Sequence, residues 1–126
     1  MRILILEDDP CIAMDLQTIL EEESHEIVGI YESVREAMGH LGDGFDYALL
    51  DIDLVDGKSF GIASELLERG VPFAFVSASA PQEVPTGLAT ASFIPKPFEE
   101  RTLLRSIEEG SSAVILQWPD ESLNAR

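Results

Sequence analysis

The feature that most constrains this chain is a regular alternation of short apolar runs with stretches of helical spacing. Five runs read as strands: Arg2–Leu6, Glu26–Ile30, Asp46–Leu50, Val71–Val76 and Ser92–Ile94. Between the first two, Ile12, Leu16, Ile19 and Leu20 form a helical stripe, closed by the acidic run Glu21–Glu23. Pro10 suits the first turn of that helix, where a missing N–H costs little. Ser33 is an N-cap with Glu36 as its capping-box partner, and Val34, Ala37, Met38 and Leu41 form the apolar face of a second helix. A third spans Ser59–Arg69, with Phe60, Ala63, Leu66 and Leu67 on one face and Gly70 as its stop. Residues 78–91 hold two prolines and a glycine, which leaves room for a turn or two of helix at most. Phe98–Glu109 is a final helix with Leu103, Leu104 and Ile107 inward. Strands alternating with helices imply right-handed crossovers and a parallel sheet covered on both faces, an α/β, doubly wound fold. In such sheets ligands bind beyond the carboxyl ends of the strands.

Length and charge bound the function. At 126 residues the chain is the size of one domain, and 45% hydrophobic residues can build a core without disulfides or a structural metal. Cys11 is the single cysteine, so no disulfide can form within the chain. The apolar start meets acid too soon for a signal peptide, and no stretch approaches the roughly 20 apolar residues of a membrane span. The expectation is a soluble, cytoplasmic protein without membrane insertion. Twenty-four acidic against 8 basic residues give a net charge of −16, which argues against direct DNA binding.

The strand ends carry the chemistry. The first strand leads to Glu7, Asp8 and Asp9, the third to Asp51, the fourth to Ser77 and the fifth to Lys96. Several carboxylates in one crevice repel unless a cation neutralises them, and hard oxygen ligands in an incomplete cage suit Mg2+. Asp51 is then the natural nucleophile toward phosphorus. The metal, Lys96 and the Ser77 hydroxyl would hold the peripheral phosphoryl oxygens.

Over about residues 2–109 the sequence resembles the receiver domains of bacterial two-component response regulators. ILILEDDP resembles the first strand and acidic pocket, with Glu7 and Asp8 at the paired acidic positions. ALLDIDL resembles the phosphoacceptor strand, which implies Asp51 as the phosphorylated residue and Asp53 as donor of a backbone carbonyl to the metal. FVSA places Ser77 at the hydroxyl position. FIPKPF places Lys96 at the lysine position, followed by a proline whose bond is usually cis in this family. Glu7 stands for the commoner Asp and Ser77 for the commoner Thr; Phe93 occupies the aromatic switch position without a phenol. VPFAFVSAS further resembles a stand-alone subgroup marked by Pro-Phe-x-Phe-Ala-Thr-Gly, from which Val76, Ser77 and Ala78 depart.

The resemblance implies a flavodoxin-like fold with strand order 2-1-3-4-5 and a shortened or irregular fourth helix. The receiver domain would occupy residues 1–109, and 110–126 would be a C-terminal extension. It implies a stand-alone domain phosphorylated by a sensor histidine kinase or phosphotransfer protein, with a downstream protein target and no catalysis beyond its own phosphorylation and dephosphorylation.

Other readings compete at particular residues. Asp9 reads as a helix cap. Ser79 is an alternative to Ser77, and Phe93 is equally a core residue. His25 and His40 read as surface residues, and AVILQW reads as a segment packing on the domain. Asp51-Ile-Asp53-Leu-Val55 also fits the nucleophile motif of haloacid-dehalogenase-like phosphatases, although that family lacks an equivalent of Glu7 and Asp8 upstream. A degenerate receiver that only binds partners is the third alternative, and the full set of site residues argues against it.

Overall fold

The structure, a computed structural model, describes residues 1–110. Its five-stranded parallel sheet comprises β1 (Arg2–Leu6), β2 (Glu26–Tyr31), β3 (Tyr47–Leu50), β6 (Phe73–Ser77) and β7 (Ser92–Pro95). The spatial order is β2-β1-β3-β6-β7, which is 2-1-3-4-5 counted over the strands of this sheet alone. Helices α1 (Pro10–Glu22), α2 (Val34–Met38), α3 (Phe60–Glu68) and α4, which covers residues 100–110, flank it.

Alternation along the central strands sorts the core into two layers. Leu4, Leu6, Ala48, Leu50, Phe73 and Phe75 pack with Ala37 of α2 and Ile62, Ala63 and Leu66 of α3. Ile3, Ile5, Tyr47, Leu49 and Val76 face Leu16 and Leu20 of α1 and Leu103 and Ile107 of α4. Both faces are covered, so the central strands are apolar throughout rather than alternating with polar residues.

Several local expectations need correction. Helix α2 ends at Met38, a side chain that is half exposed, while Leu41 is buried from outside the helix. On α3 the inward residues are Ile62, Ala63 and Leu66, and Leu67 faces solvent. One residue is about 100° of helical rotation, so Leu67 passes beyond the edge of a stripe centred on 62, 63 and 66. Strand β3 starts at Tyr47 because the Asp46 carboxylate instead accepts the Arg2 N–H at 2.8 Å. Strand β6 starts two residues late: the Val71 N–H closes α3 onto the Leu66 carbonyl, and Pro72 has no N–H. Gly70, with φ of 71°, makes that reversal possible. Helix α4 starts at residue 100, and Phe98 packs against the core ahead of it.

The segment after β6 contains no α-helix. Two 3-10 turns, Pro81–Glu83 and Thr86–Leu88, occupy it, and Leu88 anchors the second in the core. An unanticipated element follows β3: β4 (Asp53–Leu54) pairs antiparallel with β5 (Gly57–Lys58) in a tight hairpin. Its Asp56 carboxylate accepts the N–H groups of Val34 at 2.7 Å and Arg35 at 3.0 Å, adding a second cap to α2 beside Ser33. Of the 110–126 extension, Gly110 is helical and the rest lies outside the described residues.

Candidate functional site

Four polar or charged side chains are buried among the described residues: Glu7, Asp51, Ser59 and Ser77. All stand at or near the carboxyl edge of the sheet. Burial of a carboxylate demands a partner, and the two acids share one. Lys96 Nζ lies 2.7 Å from Glu7 Oε1 and 2.9 Å from Asp51 Oδ2. Backbone bonds hold each group in place: the Glu7 N–H donates to the Tyr31 carbonyl and the Asp51 N–H to the Leu6 carbonyl. The Lys96 N–H donates to the Ser77 carbonyl at 3.0 Å. Lys96 is followed by a cis bond to Pro97, as the resemblance to receiver domains implied.

One carboxylate oxygen from each of Glu7, Asp8 and Asp51 comes within 4.8 Å of the others, close enough for one cation. The donors are all hard oxygens, and Asp8 is only partly buried, so the set fits a small divalent ion that keeps some of its waters. Asp9 belongs to the helix: its side chain caps α1 by accepting the Cys11 N–H at 2.9 Å.

Proton affinities follow the same geometry. Burial lifts the Glu7 carboxyl to about 7, opposed by its bonds to Lys96 and the Asp9 N–H and assisted by the nearby Asp51 charge. Burial pulls the Lys96 ammonium down, but its bonds to Glu7 and Asp51 outweigh this and leave it above the ordinary lysine range.

The remaining site candidates surround this core. Ser77 ends β6, fully buried, and its hydroxyl oxygen accepts the Ser79 N–H at 3.2 Å. Phe93 lies on β7 opposite Phe75, half-buried against the α2–α3 layer. The Asp53 side chain is held by Lys58 and by the Ser79 hydroxyl, which donates to Oδ2 at 2.6 Å. Those bonds, led by the one from Lys58, bring the Asp53 carboxyl below its usual range. Lys58 also reaches Glu83 at 3.4 Å, tying the hairpin to the first 3-10 turn. Lys58, Glu83 and Ser59 were not identified as site neighbours from the sequence. Lysine scarcity was the available signal for Lys58, since the chain has two.

Comparison with known proteins identifies the family of the chain. The sequence model of the response regulator receiver domain matches residues 3–108. The phyllosphere-induced regulator PhyR of Methylorubrum extorquens is 36% identical over 104 residues, covering 78% of this chain and 39% of that protein. The transcriptional regulatory protein PdtaR of Mycobacterium tuberculosis is 29% identical over 113 residues, covering 85% and 55%. The chain thus spans about two-fifths and just over half of these curated relatives. A CheY-like receiver domain from Methanospirillum hungatei superposes with a TM-score of 0.81 at 29% identity, covering 92% of this chain and 97% of that one. Nothing in these matches supports the phosphatase alternative. With the sheet order and the acid–lysine cluster in place, the chain belongs to the response regulator receiver domain family of two-component signalling.

Proposed function

We propose that Asp51 accepts a phosphoryl group from a sensor histidine kinase or phosphotransfer protein and that the chain signals through the resulting change of shape. The observation that carries this is the convergence of Glu7, Asp8 and Asp51 oxygens with Lys96 Nζ 2.9 Å from Asp51. Receiver domains bind Mg2+ at such an acidic pocket and act as signalling phosphoacceptors rather than classical enzymes.

Glu7, Asp8 and Asp51 would hold the ion, with the Asp53 backbone carbonyl as a further ligand. When bound, Mg2+ supplies positive charge against the carboxylates and the phosphoryl oxygens. An Asp51 carboxylate oxygen attacks phosphorus, the bond from phosphorus to the donor nitrogen breaks, and the departing imidazole takes a proton. Lys96 holds its ammonium beside the oxygen it already contacts and stabilises charge on the incoming group. The Ser77 hydroxyl donates its proton to a second phosphoryl oxygen while a lone pair of the same oxygen still accepts the Ser79 N–H. Turning of that hydroxyl toward the phosphoryl group would draw the Ser79 N–H with it and move the 78–91 segment, and Phe93 would repack with it, giving a downstream protein target a changed surface. Direct DNA binding does not fit a net charge of −16. Among the described residues no helix is long and apolar enough to cross a membrane.

Intact mass after incubation with Mg2+ and a small phosphodonor tests the reading. One phosphoryl adduct is expected on the wild type, lost with chelator and absent from Asp51→Asn. An adduct that survives in Asp51→Asn, or none on the folded wild type, would sink it.

A further inference from the structure

Three of the four buried polar side chains are accounted for by the acid–lysine cluster and the hydroxyl at the end of β6; Ser59 is the fourth. It stands at the N-cap position of α3, where a serine ordinarily spends its hydroxyl on a free N–H of the first turn. Ser59 makes no such side-chain bond. Its hydroxyl instead donates to the main-chain carbonyl of Asp51 at 2.6 Å, fully out of solvent. Its own N–H donates to the next carbonyl, that of Ile52, at 2.9 Å, and its carbonyl accepts the Ala63 N–H at 3.0 Å. One residue therefore holds two successive peptides after Asp51 and joins them to the first turn of α3.

This gives the Asp51 backbone a clamp on each side. Its N–H is fixed to Leu6 on β1 at 2.8 Å, and its carbonyl is fixed to Ser59. The carboxylate of Asp51 departs from that backbone, and so does the path to Asp53. We infer that Ser59 is a positioning residue for phosphoryl transfer: by fixing the Asp51 carbonyl it aims the Asp51 carboxylate and sets the Asp53 carbonyl toward the cation. The inference rests on Asp51 being the phosphoacceptor. Ser59 touches no reacting atom and acts through the peptide it holds. In-line transfer depends steeply on such aim, because small misplacements of reacting groups cost large factors in rate.

The experiment compares Ser59→Ala, Ser59→Cys and Ser59→Thr with wild type, Asp51→Asn and a stability control, Leu66→Val, which trims the α3 core away from the site. The rate of adduct formation by intact mass is measured at saturating Mg2+ and phosphodonor, under conditions where urea titration shows each variant folded. Ser59→Ala should slow transfer by about tenfold. Ser59→Thr, which keeps a hydroxyl donor, should recover most of the rate, whereas Leu66→Val should react as wild type does. If Ser59→Ala does not fold, Ser59→Cys, nearly isosteric and a weak donor, takes its place with the same expected loss. A wild-type rate in the folded donor-deficient variant, or an equal loss in Leu66→Val, overturns the positioning role. Absence of any adduct on the wild type instead overturns the phosphoacceptor reading beneath it, and the positioning role with it.

Discussion

Replacing Lys96 by methionine keeps the aliphatic stem and removes the one cation that Glu7 and Asp51 share. Were both buried carboxylates to stay charged, losing their partner would cost about 3–5 kcal/mol. Glu7 has a way out. Its carboxyl already sits at about 7, and the Lys96 bond is one of the influences holding it down, so removing Lys96 sends it higher. Below about pH 6 Glu7 carries a proton in both proteins, and the loss reduces to the Lys96–Asp51 bond, about 1.5–3 kcal/mol for a hydrogen bond between charged groups.

Above neutrality the two proteins diverge. The folded Glu7 pKa lies above its ordinary value of 4.5, so the folded state binds more protons than the unfolded state and stability falls as pH rises through that window. In the wild type this fall ends near pH 7. In Lys96→Met it continues, at about 1.4 kcal/mol per pH unit, until the variant's own Glu7 pKa is passed. Urea unfolding followed by far-ultraviolet circular dichroism in chelator should therefore show a stability gap that widens between about pH 7 and 8. Millimolar Mg2+ should narrow it by supplying the missing positive charge. A gap constant from pH 6 to 8, or indifferent to Mg2+, would refute the account of Lys96 as the internal counter-ion of both acids.

Burial lifts the Tyr47 phenol to about 12, against a weaker opposing bond to the Ser106 carbonyl. The folded state therefore holds this proton more tightly, and stability should fall between about pH 10 and 12 by up to ~3 kcal/mol; Tyr47→Phe should flatten that limb of an alkaline urea series, and an unchanged slope would contradict it. Gly110→Ala would bring a Cβ within 2.9 Å of the buried Tyr47 ring, which should cost about 1–3 kcal/mol of stability by denaturant titration; an unchanged midpoint would mean that α4 can shift at no cost. Lys58→Ala removes the ties from the hairpin to Asp53 and Glu83, so amides of residues 79–84 should exchange with deuterium faster than in the wild type while those of β1 and β3 do not. Uniform exchange in both proteins would show that the segment is held by other contacts.

What could be read from the sequence follows from which contacts are local. The strands of the main sheet, the Asp9 and Ser33 caps and the strand-end acids all announce themselves within a few residues, and each is where its neighbours require. Capping by Ser33 holds as a bond from the Glu36 N–H, although the Glu36 carboxylate meets the Ser33 hydroxyl rather than its backbone. The β4–β5 hairpin has strands of two residues, too short for any alternation to register. Leu67 and Met38 were misplaced because short helices offer few turns to fix the phase of a stripe. Lys58 and Ser59 were missed for a different reason. Their partners Glu83 and the Asp51 carbonyl are defined by how loops return in space, and a backbone carbonyl leaves no trace in the identity of the residue that carries it.

The two lysines of the chain both lie at the carboxyl edge of the sheet, in a molecule with three times as many acidic as basic residues. Lys96 holds Glu7 and Asp51, and Lys58 holds Asp53 and Glu83. They differ in what an added negative charge at Asp51 would do to them. Lys96, with its side chain only 12% exposed, has little solvent to fall back on and must divide its hydrogens among Glu7, Asp51 and the new group. Lys58 is half exposed and bonded through side chains that water can replace at little cost. A phosphoryl group on Asp51 should therefore tighten the Lys96 side of the site, and the Lys58 side, with Ser79 and the first 3-10 turn attached to it, is where the structure can yield.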